Sequence, residues 1–515
     1  MAITDAIRLT PTTLAGVFGV ALLLYTIYSR ITLRLSRQKV MRENGCQPLV
    51  HKIPLKDPFL GIDLIMENAK AAKETRLLEN GQARFHKYGR TYKSKLADND
   101  MIITMEPENI KTVLSLKFKD YVLTNRMRLL GRLLGPGIFT SDGEAWQHSR
   151  GLLRPNFARD QLADIEAFEG HIQYMFKAIP TDGRTVDLQE LFFRLTIDSA
   201  TEFLFGESVH SLRMTSDKGG PDESNFTWAF TYAQDAAVKR SRWGKLGIFF
   251  SNKDEDEACR MCHEFVDRFV DKAVRYREQE DLEKGSGEKP SDKHYIFLYE
   301  LAKATKDKAQ LRSEMMNILL AGRDTTASLL SNMFFMIAKN PQIWERLQRE
   351  VQDTLHGELP TYEQLRNMKY LKYCLNESLR IHPVVPANSR RAIRDTIIPL
   401  GGGPDGRSPL LVEKGTVVGY SPWSMHRDER WYGPDAAEYR PERWENLRPG
   451  WEYLPFNGGP RICLGQQYAL TEASYTTVRI CQQFSKLESR DDGPWREGLT
   501  LTMCSKNGCH VALSP

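Results

Sequence analysis

The sequence predicts a mainly helical protein that begins with a membrane-spanning helix. From Glu106 to about Leu379 the apolar residues recur mostly with the period of a helix, and glycine and proline interrupt the pattern. Before this region, Tyr88–Thr104 contains two short mixed runs, which are typical of a β-hairpin with its turn at Asp98-Asn99-Asp100. The long apolar stretch Pro11–Ser29 lies outside both patterns.

This apolar stretch predicts a membrane anchor. Its part Leu14–Tyr28 carries no charge, and its length is near the lower limit of the roughly 17–25 residues that cross a bilayer. Asp5 and Arg8 precede it, whereas five basic residues follow: Arg30, Arg34, Arg37, Lys39 and Arg42. This excess of positive charge predicts that the chain after Arg30 lies in the cytosol. A cleaved signal peptide and a buried core helix are the alternatives.

Three prolines make the next segment a stiff connector, because Pro48, Pro54 and Pro58 interrupt helices. We therefore predict an anchor at residues 1–29, a basic and proline-rich linker at 30–58, and one large domain at 59–515. The motifs described below are spread over most of that last segment, which argues against several independent domains.

The composition excludes some classes of function. The 515 residues carry a net charge of +5, which is no signature of nucleic-acid binding. Eight cysteines in so long a chain do not indicate a disulfide framework, so we expect a reducing compartment.

Trp146 and Arg150 stand four residues apart in a helical region, so they share one helix face. The indole N–H and the guanidinium are both donors, which suits them to hold a carboxylate. The alternative is ordinary packing with a solvated arginine head group.

The pattern Thr305–Lys339 predicts the longest helix in the chain, on the order of 50 Å. Its middle, Ala321-Gly322-Arg323-Asp324-Thr325-Thr326, is poor helix-forming sequence, because glycine and adjacent threonines both lower helix propensity. Such a weak segment is either tolerated or functional. An acid beside a hydroxyl, as in Asp324-Thr325, is suited to proton transfer.

Glu377 and Arg380 lie one helical turn apart, and His382-Pro383 ends their helix. An isolated pair of this kind is usually a surface ion pair of small stabilising effect. Arg443 lies farther along the chain, in Pro441-Glu442-Arg443-Trp444.

The segment Phe456–Gly465 reads Phe-Asn-Gly-Gly-Pro-Arg-Ile-Cys-Leu-Gly, and a helix is predicted at Gln466–Phe484. Cys463 therefore lies at a helix N-terminus, where free backbone N–H groups stabilise a thiolate. A thiolate is a strongly donating ligand for haem iron, and the glycines let the backbone approach a flat ligand. The alternative is a free buried cysteine.

This segment resembles the haem-binding signature F-x-x-G-x-R-x-C-x-G of the cytochrome P450 family at every specified position. The earlier motifs occur in the order found in that family. The resemblance implies a mainly helical fold with a small β-rich lobe, and haem b held between the long helix and the Cys463 loop. It implies that Cys463 is the iron ligand and that the residues around the cofactor are Trp146, Arg150, Gly322, Phe456 and Arg461.

The resemblance also assigns roles to the other motifs. Thr325 would hydrogen-bond the reacting oxygen, and Asp324 would relay protons from solvent. Glu377, Arg380 and Arg443 would form a structural cluster that supports the haem loop.

Two further motifs have competing interpretations. Cys259-Arg260-Met261-Cys262-His263 fits the attachment motif of c-type haem, but its context is an ordinary amphipathic helix. Gly401–Gly406 fits G-x-G-x-x-G, but Pro409 prevents the regular helix that a dinucleotide site requires, so we expect a turn between short strands.

The resemblance predicts a monooxygenase of the endoplasmic reticulum membrane that inserts one atom of O2 into an apolar C–H bond. Electrons would come from NADPH through a cytochrome P450 reductase, for which Arg150, Arg154 and Arg159 could form a docking face. A family member that rearranges peroxides and a haem gas sensor remain as alternatives.

The substrate is predicted from a narrower resemblance. Phe456–Gln467, Gly137–Gly143, Gly401–Gly406 and Pro386–Arg391 resemble the fungal alkane and fatty-acid ω-hydroxylase branch of the family. This implies terminal or near-terminal hydroxylation, with Leu320, Val384 and Val385 as walls of the substrate channel. The alternative is a fungal enzyme that tailors a secondary metabolite.

Overall fold

The computed structural model describes residues 11–124, 126–157, 165–213, 221–241, 253–284 and 296–515. The described residues form eighteen α-helices and twelve strands. The helices are α1 Pro11–Glu43, α2 Ile62–Lys73, α3 Leu77–Tyr88, α4 Pro107–Lys111, α5 Arg126–Leu134, α6 Gly143–Leu153, α7 Glu166–Ala178, α8 Leu188–Phe205, α9 Pro221–Ser241, α10 Lys253–Lys284, α11 Phe297–Ala304, α12 Lys308–Ala338, α13 Pro341–Leu355, α14 Tyr362–Asn367, α15 Lys369–Ile381, α16 Pro422–Met425, α17 Glu429–Tyr432 and α18 Gln466–Gln483.

The strands are short and lie in four small sheets. Their bounds are β1 Thr91–Leu96, β2 Asn99–Thr104, β3 Tyr121–Val122, β4 Val186–Asp187, β5 Asn388–Ala392, β6 Thr396–Gly402, β7 Ser408–Val412, β8 Val417–Tyr420, β9 Lys486–Ser489, β10 Glu497–Leu499, β11 Met503–Ser505 and β12 His510–Ser514. The largest sheet has the order β1-β2-β8-β5-β3. The expected mainly helical fold with a small β-rich part is confirmed.

The hairpin predicted within Tyr88–Thr104 forms, but its turn begins one residue earlier and ends two residues earlier than predicted. Leu96 pairs with Asn99, so Ala97-Asp98 makes the turn, and Asn99 and Asp100 belong to β2. Ala97 adopts a positive φ of 51°, which a two-residue hairpin turn demands.

The helix α12 runs through the centre of the molecule. It begins at Lys308, where the Asp307 carboxylate accepts hydrogen bonds from the N–H groups of Ala309 and Gln310, and ends at Ala338. Most of its side chains are buried, because it packs against α8, α15 and α18 and against α5, α10 and α11. One large apolar cluster surrounds its second half and another its first half. The predicted bounds, Thr305–Lys339, are nearly correct. The prediction that this is the longest helix is wrong, because α12 has 31 residues whereas α1 has 33 and α10 has 32.

The N-terminal helix α1 is longer than the predicted anchor. It continues through the basic residues to Glu43, so the irregular connector begins at Asn44. Leu14–Glu43 is long and apolar enough to cross a membrane and buries none of its apolar window against the rest of the protein. Near its end, Arg37 forms ion pairs with Asp395 and Glu413 of the β-rich part.

Candidate active site

A buried ion cluster joins α15 to Arg443 and Trp444, which precede the Cys463 loop along the chain. Glu377 and Arg380 on α15 have no exposed side-chain surface, and their closest nitrogen–oxygen distance is 2.8 Å. The Glu377 carboxylate also accepts hydrogen bonds from Arg443 Nε and Trp444 Nε1, both at 2.9 Å. The structure thus brings the three predicted residues together, and the cluster ties α15 to the segment that precedes the Cys463 loop.

The Cys463 loop is held by its own backbone. The Cys463 N–H donates to the carbonyl of Phe456 at 3.0 Å, which closes the loop on itself. Gly459 has a positive φ of 69°, and an added Cβ there would lie 2.0 Å from the carbonyl oxygen of Leu114. Only glycine therefore lets the loop pack this closely.

The Cys463 side chain is enclosed by protein, but its surface is open to an internal cavity. Burial raises the pKa of the thiol, whereas a hydrogen bond from the Gly465 N–H and the nearby Arg150 act in the opposite direction. The helix α18 begins at Gln466, as predicted, and ends at Gln483, one residue before the predicted end. The surrounding protein groups thus do not fully offset the effect of burial on the Cys463 pKa. A bound cation such as iron would further stabilise the thiolate.

The cavity has a volume of about 510 Å³ and separates the Cys463 loop from the middle of α12. Its surface is mostly apolar, and the three predicted wall residues Leu320, Val384 and Val385 all line it. Gly322 and Thr325 line it from α12, whereas Phe456 and Cys463 lie on the loop side. The cavity therefore joins the two motifs that the sequence places far apart.

Four arginines line one end of this cavity: Arg126, Arg150, Arg390 and Arg461. Burial and the neighbouring Arg390 lower the pKa of Arg126 to about 10, and burial lowers the pKa of Arg461 to about 10. Arg461 donates to the carboxylate of Asp142 at 2.7 Å. Among the described residues, Arg390 Nε has no hydrogen-bond partner.

This cationic end fits a ligand with two negative charges. The ion pair with Asp142 offsets one of the four arginine charges, and a buried cation without a partner is costly. The two propionates of haem b would offset two of the three remaining charges, while the flat ring would lie between Cys463 and α12. The residues present therefore fit this cofactor.

Trp146 and Arg150 lie on α6, as the four-residue spacing predicts. The Trp146 ring is buried and stacks against Arg461, whose guanidinium carbon is 4.3 Å from the ring centroid. Arg150 donates to the carbonyl of Ile462 at 3.1 Å. Both residues thus pack against the Cys463 loop as well as facing the cavity.

Sequence reasoning missed Arg126 and Arg390 as site residues. Arg390 stands within Pro386–Arg391, which served only as a sign of the family branch, and Arg126 lies in no recognised motif. Asn388 brings the two together, since its side-chain oxygen accepts from Arg126 at 2.9 Å and from Arg390 at 3.1 Å. This convergence depends on the contact between α5 and β5, for which the sequence has no local signal.

On the opposite wall, α12 is continuous through Ala321–Thr326. The Thr325 hydroxyl donates to the Ala321 carbonyl at 2.7 Å, which leaves its oxygen free to accept a hydrogen bond from the cavity side. Asp324 is buried, and burial raises its pKa despite the adjacent Arg323. An added Cβ at Gly322 would lie 3.4 Å from that of Ala200, an ordinary contact distance, so the packing of α12 on α8 does not itself require glycine here.

The comparisons with known proteins agree with this geometry. The model of the cytochrome P450 family matches residues 58–508. The chain belongs to the cytochrome P450 family. It is 47% identical over 497 residues to the cytochrome P450 monooxygenase fsdH of Fusarium heterosporum, covering 95% of this chain and 86% of fsdH.

Two other relatives show similar coverage. The cytochrome P450 monooxygenase himC of Aspergillus japonicus is 48% identical over 471 residues, covering 91% of this chain and 84% of himC. Cytochrome P450 52A13 of Debaryomyces hansenii is 41% identical over 512 residues, covering 96% of each chain. This cytochrome P450 is therefore a haem-thiolate monooxygenase that takes electrons from a redox partner and acts on a small molecule.

The two competing motifs lie outside the site of this cytochrome P450. Cys259 and Cys262 are buried on α10 in the apolar cluster around the first half of α12, and burial raises the pKa of Cys259 to about 11. His263 Nε2 lies 2.8 Å from the carbonyl of Leu133. Gly401 and Gly402 end β6, and residues 403–407 form the expected turn to β7.

Proposed function

We propose that this cytochrome P450 hydroxylates the terminal or near-terminal carbon of medium-to-long fatty acids or n-alkanes at a cytosolic membrane surface. The observation that carries the proposal is the mostly apolar cavity, whose positive charge is confined to the end next to Cys463. An apolar chain can fill the rest of that cavity without leaving a buried polar group unpaired.

The roles of the site residues follow from where they lie. Cys463 holds the haem iron, which supplies the O2 chemistry when bound. Trp146, Arg150 and Arg461, with the newly identified Arg126 and Arg390, hold the propionate end. Phe456 and Gly322 shape the two faces of the cofactor space.

Thr325 and Asp324 serve proton transfer. Thr325 Oγ1 faces the cavity, where it accepts a hydrogen bond and exchanges its proton with a neighbouring donor. Asp324 is buried beside Arg323 at 3.5 Å, so a small movement of that arginine changes how readily the carboxyl releases its proton. Glu377, Arg380 and Arg443 act indirectly, because they fix the segment before the Cys463 loop.

Chain length sets the affinity in this proposal. Each buried CH2 contributes roughly 0.8 kcal/mol, so binding strengthens with length until the cavity is full. Terminal attack requires that the walls keep the inner carbons away from the iron, since methyl C–H bonds are stronger than methylene ones. Leu320, Val384 and Val385 are placed to do this.

The partner and the location belong to the same proposal. An NADPH–cytochrome P450 reductase supplies electrons, and α1 anchors the enzyme in the endoplasmic reticulum membrane by a single span with the catalytic domain in the cytosol. Of the arginines considered for docking, Arg150 contacts the Cys463 loop and is less exposed than Arg154. Arg154 is exposed, and Arg159 lies outside the described residues.

The second candidate is tailoring of a fungal secondary metabolite. Identity to the 52A proteins is 41–44%, whereas fsdH and himC reach 47% and 48%. The overall comparison therefore does not favour the 52A proteins, and the lipid proposal rests on the cavity and on the four segments named above.

The test is a length series of fatty acids and n-alkanes with reductase and NADPH. We expect a shift of the haem spin state that strengthens with length to a maximum, together with a terminal or near-terminal alcohol. The variant Leu320→Phe, which narrows the channel, should move the best length downwards, while the exposed variant Leu359→Ala serves as control. No spin shift and no product at any length would reject lipids and leave the tailoring proposal. Turnover of a peroxide without reductase would instead indicate a rearranging enzyme.

A further inference from the structure

The loop between α5 and α6, residues 135–142, forms part of the wall of the active-site cavity. Ile138 and Phe139 both line the cavity, although the loop belongs to no helix or strand. A loop has no regular ladder of backbone hydrogen bonds, so other groups must fix its backbone if it is to position a substrate. Two sets of hydrogen bonds do this, one within the loop and one from α12.

Thr140 holds loop 135–142 from within. Its hydroxyl donates to the carbonyl of Gly135 at 2.7 Å and accepts from the N–H of Gly137 at 2.9 Å. The Thr140 side chain is buried, so water does not compete for these bonds. They tie the two halves of the loop together, and the loop is therefore placed as one unit.

Asn317 on α12 determines where that unit lies. It is fully buried, and its side chain makes three hydrogen bonds. Oδ1 accepts from the N–H of Phe139 at 3.1 Å, and Nδ2 donates to the carbonyls of Leu134 at 3.1 Å and Ser313 at 2.8 Å. Asn317 thus holds both the last residue of α5 and the middle of the loop, while the next residue of α12, Ile318, lines the cavity.

Gly137 lets the loop approach Asn317 this closely. An added Cβ at Gly137 would lie 2.5 Å from Asn317 Nδ2 and 2.8 Å from its Cγ. A side chain there would push the loop away from α12. The segment Gly137–Gly143, which in the sequence serves only as a sign of the family branch, therefore has a physical role in packing against this asparagine.

The other end of the loop binds Arg461, two residues before Cys463. The Arg461 guanidinium donates to the carbonyls of Ile138 at 3.3 Å and Ser141 at 2.9 Å, and to the Asp142 carboxylate at 2.7 Å. Loop 135–142 thus connects α12 to the cationic end of the cavity, where the haem propionates fit. A displacement of this loop would change the cavity wall and the Arg461 position together.

We propose that Asn317 is a positioning residue for oxygen insertion, which places the cavity wall at Ile138 and Phe139 and, through the same loop, the guanidinium of Arg461. Its amide supplies a donor and an acceptor in one fixed geometry, which a hydrocarbon side chain of the same size cannot do. Asn317 does not line the cavity, so it acts only through loop 135–142. The proposal rests on the haem-thiolate chemistry of the family, and only its product measurement uses the proposed fatty-acid substrate.

The first test reads the cofactor site of the full-length holoprotein without turnover. Asn317→Leu keeps the size of the side chain and removes its three hydrogen bonds. The reduction potential of the haem should fall, because a displaced Arg461 no longer holds its positive charge beside the propionates, and positive charge favours the reduced iron. The carbon–oxygen stretching band of the ferrous carbon monoxide complex should broaden, because the cavity wall is less fixed. A potential and a band equal to those of the wild type would overturn the proposal.

Asn109→Leu is the matched control. Asn109 is equally buried, and its side chain likewise donates to a backbone carbonyl and accepts from a backbone N–H, both of Leu400 at 3.0 Å. Its other partners are Thr91 and Thr104, and none of the three lines the cavity. Asn109→Leu should therefore lower the Tm without changing the potential or the band. Equal spectral shifts in both variants would show that Asn317 has only a structural role.

The second test reads positioning during turnover. With reductase, NADPH and dodecanoic acid, Asn317→Leu should spread hydroxylation over more carbons and lower the share of the main alcohol about threefold or more, with a larger change in kcat than in KM. Asn109→Leu should keep the wild-type product pattern. An unchanged pattern in Asn317→Leu would overturn the positioning role. If the wild type makes no product from dodecanoic acid, the substrate proposal fails, whereas the potential and the carbon monoxide band still test Asn317.

Two further variants protect these tests against misfolding. Asn317→Asp, whose buried carboxyl is neutral, offers both an acceptor and a donor and should retain most of the wild-type behaviour. Gly137→Ala leaves Asn317 intact but pushes the loop from α12, so it should reproduce the broadened band and the altered products. If Asn317→Leu does not fold, a wild-type band together with a wild-type potential in Gly137→Ala would overturn the proposal.

Discussion

At the scale of single residues, Cys463 and Asp324 are both acids whose charged form is disfavoured by burial. Burial raises the pKa of both acids, so each needs a positive neighbour to ionise. For Asp324 that neighbour is Arg323, whose Nη1 lies 3.5 Å from a carboxylate oxygen. For Cys463, Arg150 and the Gly465 N–H act only in part, and in the proposed role a bound iron would supply the remaining stabilisation.

We predict that Cys463→Ala abolishes the red-shifted Soret band of the ferrous carbon monoxide complex, because a methyl group has no thiolate to offer. The spectrum of the reduced protein under carbon monoxide measures this. Cys259→Ala combined with Cys262→Ala is the matched control and should keep both haem content and the band. A thiolate-type band in Cys463→Ala would contradict the assigned ligand.

We predict that Thr325→Ala retains haem and substrate binding but wastes reducing equivalents. The hydroxyl that faces the cavity is lost, so protons reach the reacting oxygen at the wrong position and hydrogen peroxide escapes. Product formed per NADPH consumed should fall about tenfold. Thr325→Ser keeps the hydroxyl and should restore most of the coupling; equal coupling in all three proteins would remove Thr325 from the mechanism.

We predict that Glu377→Ala destabilises the fold by about 3–5 kcal/mol, because it leaves Arg380 and Arg443 buried without their carboxylate. Denaturant unfolding followed by haem absorbance measures the change. Glu363→Ala removes an exposed carboxylate 3.9 Å from Arg366 and should cost about 0.5 kcal/mol or less. A similarly small effect for Glu377→Ala would show that the cluster is dispensable.

At the scale of elements, α1 has two parts with different surroundings. Its apolar part has no contact that buries it in the protein, so a bilayer is its natural environment. Its basic end is held on the β-rich part by the ion pairs of Arg37 with Asp395 and Glu413. Because the helix is continuous between them, these contacts fix the direction in which the anchor leaves the domain.

We predict that deletion of residues 1–29 and of residues 1–38 both release the enzyme from membranes in part, while the haem spectrum is preserved. Residual binding is expected from Phe59 and Leu60, which are 79% and 44% exposed. The shorter deletion keeps Arg37, so it should be the more stable by about 0–1 kcal/mol. Vesicle flotation and thermal unfolding measure these effects; loss of the folded haem protein in both deletions would contradict a separable anchor.

At the scale of the whole molecule, stability depends on buried groups that titrate in opposite directions. Burial raises the pKa of Glu314 to about 7 and lowers the pKa of His426 to about 3. Below pH 4.5 Glu314 is protonated in both the folded and the unfolded protein, so its contribution to stability is fully present. As pH rises from 4.5 to 7 the unfolded protein ionises more readily, so the free energy of unfolding falls. The neutral His426 stabilises fully above pH 6.5, and this contribution is lost as pH falls towards 3.

We therefore predict greatest thermal stability at mildly acidic pH, between the two losses. Glu314→Gln cannot ionise, so its Tm should exceed that of the wild type at pH 8 and not at pH 5. The difference at pH 8 is on the order of 1–3 kcal/mol. The exposed variant Glu264→Gln is the control. Equal Tm differences at both pH values would show that Glu314 does not titrate in this range.

The sequence by itself determined the parts of this protein that depend on neighbours along the chain. Helical periodicity located α12 and α18 to within a few residues, because side chains three and four apart share a face. Contiguous motifs identified Cys463, Thr325 and the pair Glu377 and Arg380. The absence of charge over Leu14–Tyr28 located the helix that is long and apolar enough to cross a membrane.

Only the tertiary structure decided which distant residues meet. Arg126 and Arg390 come from α5 and β5, and their charges become a binding site only when both are buried against the same cavity. Glu314 resembles any other helix glutamate in the sequence, and its burial in the folded protein raises the pKa of its carboxyl to about 7. The physical reason is that desolvation and long-range charge depend on the full three-dimensional surroundings, whereas periodicity and spacing report only local geometry.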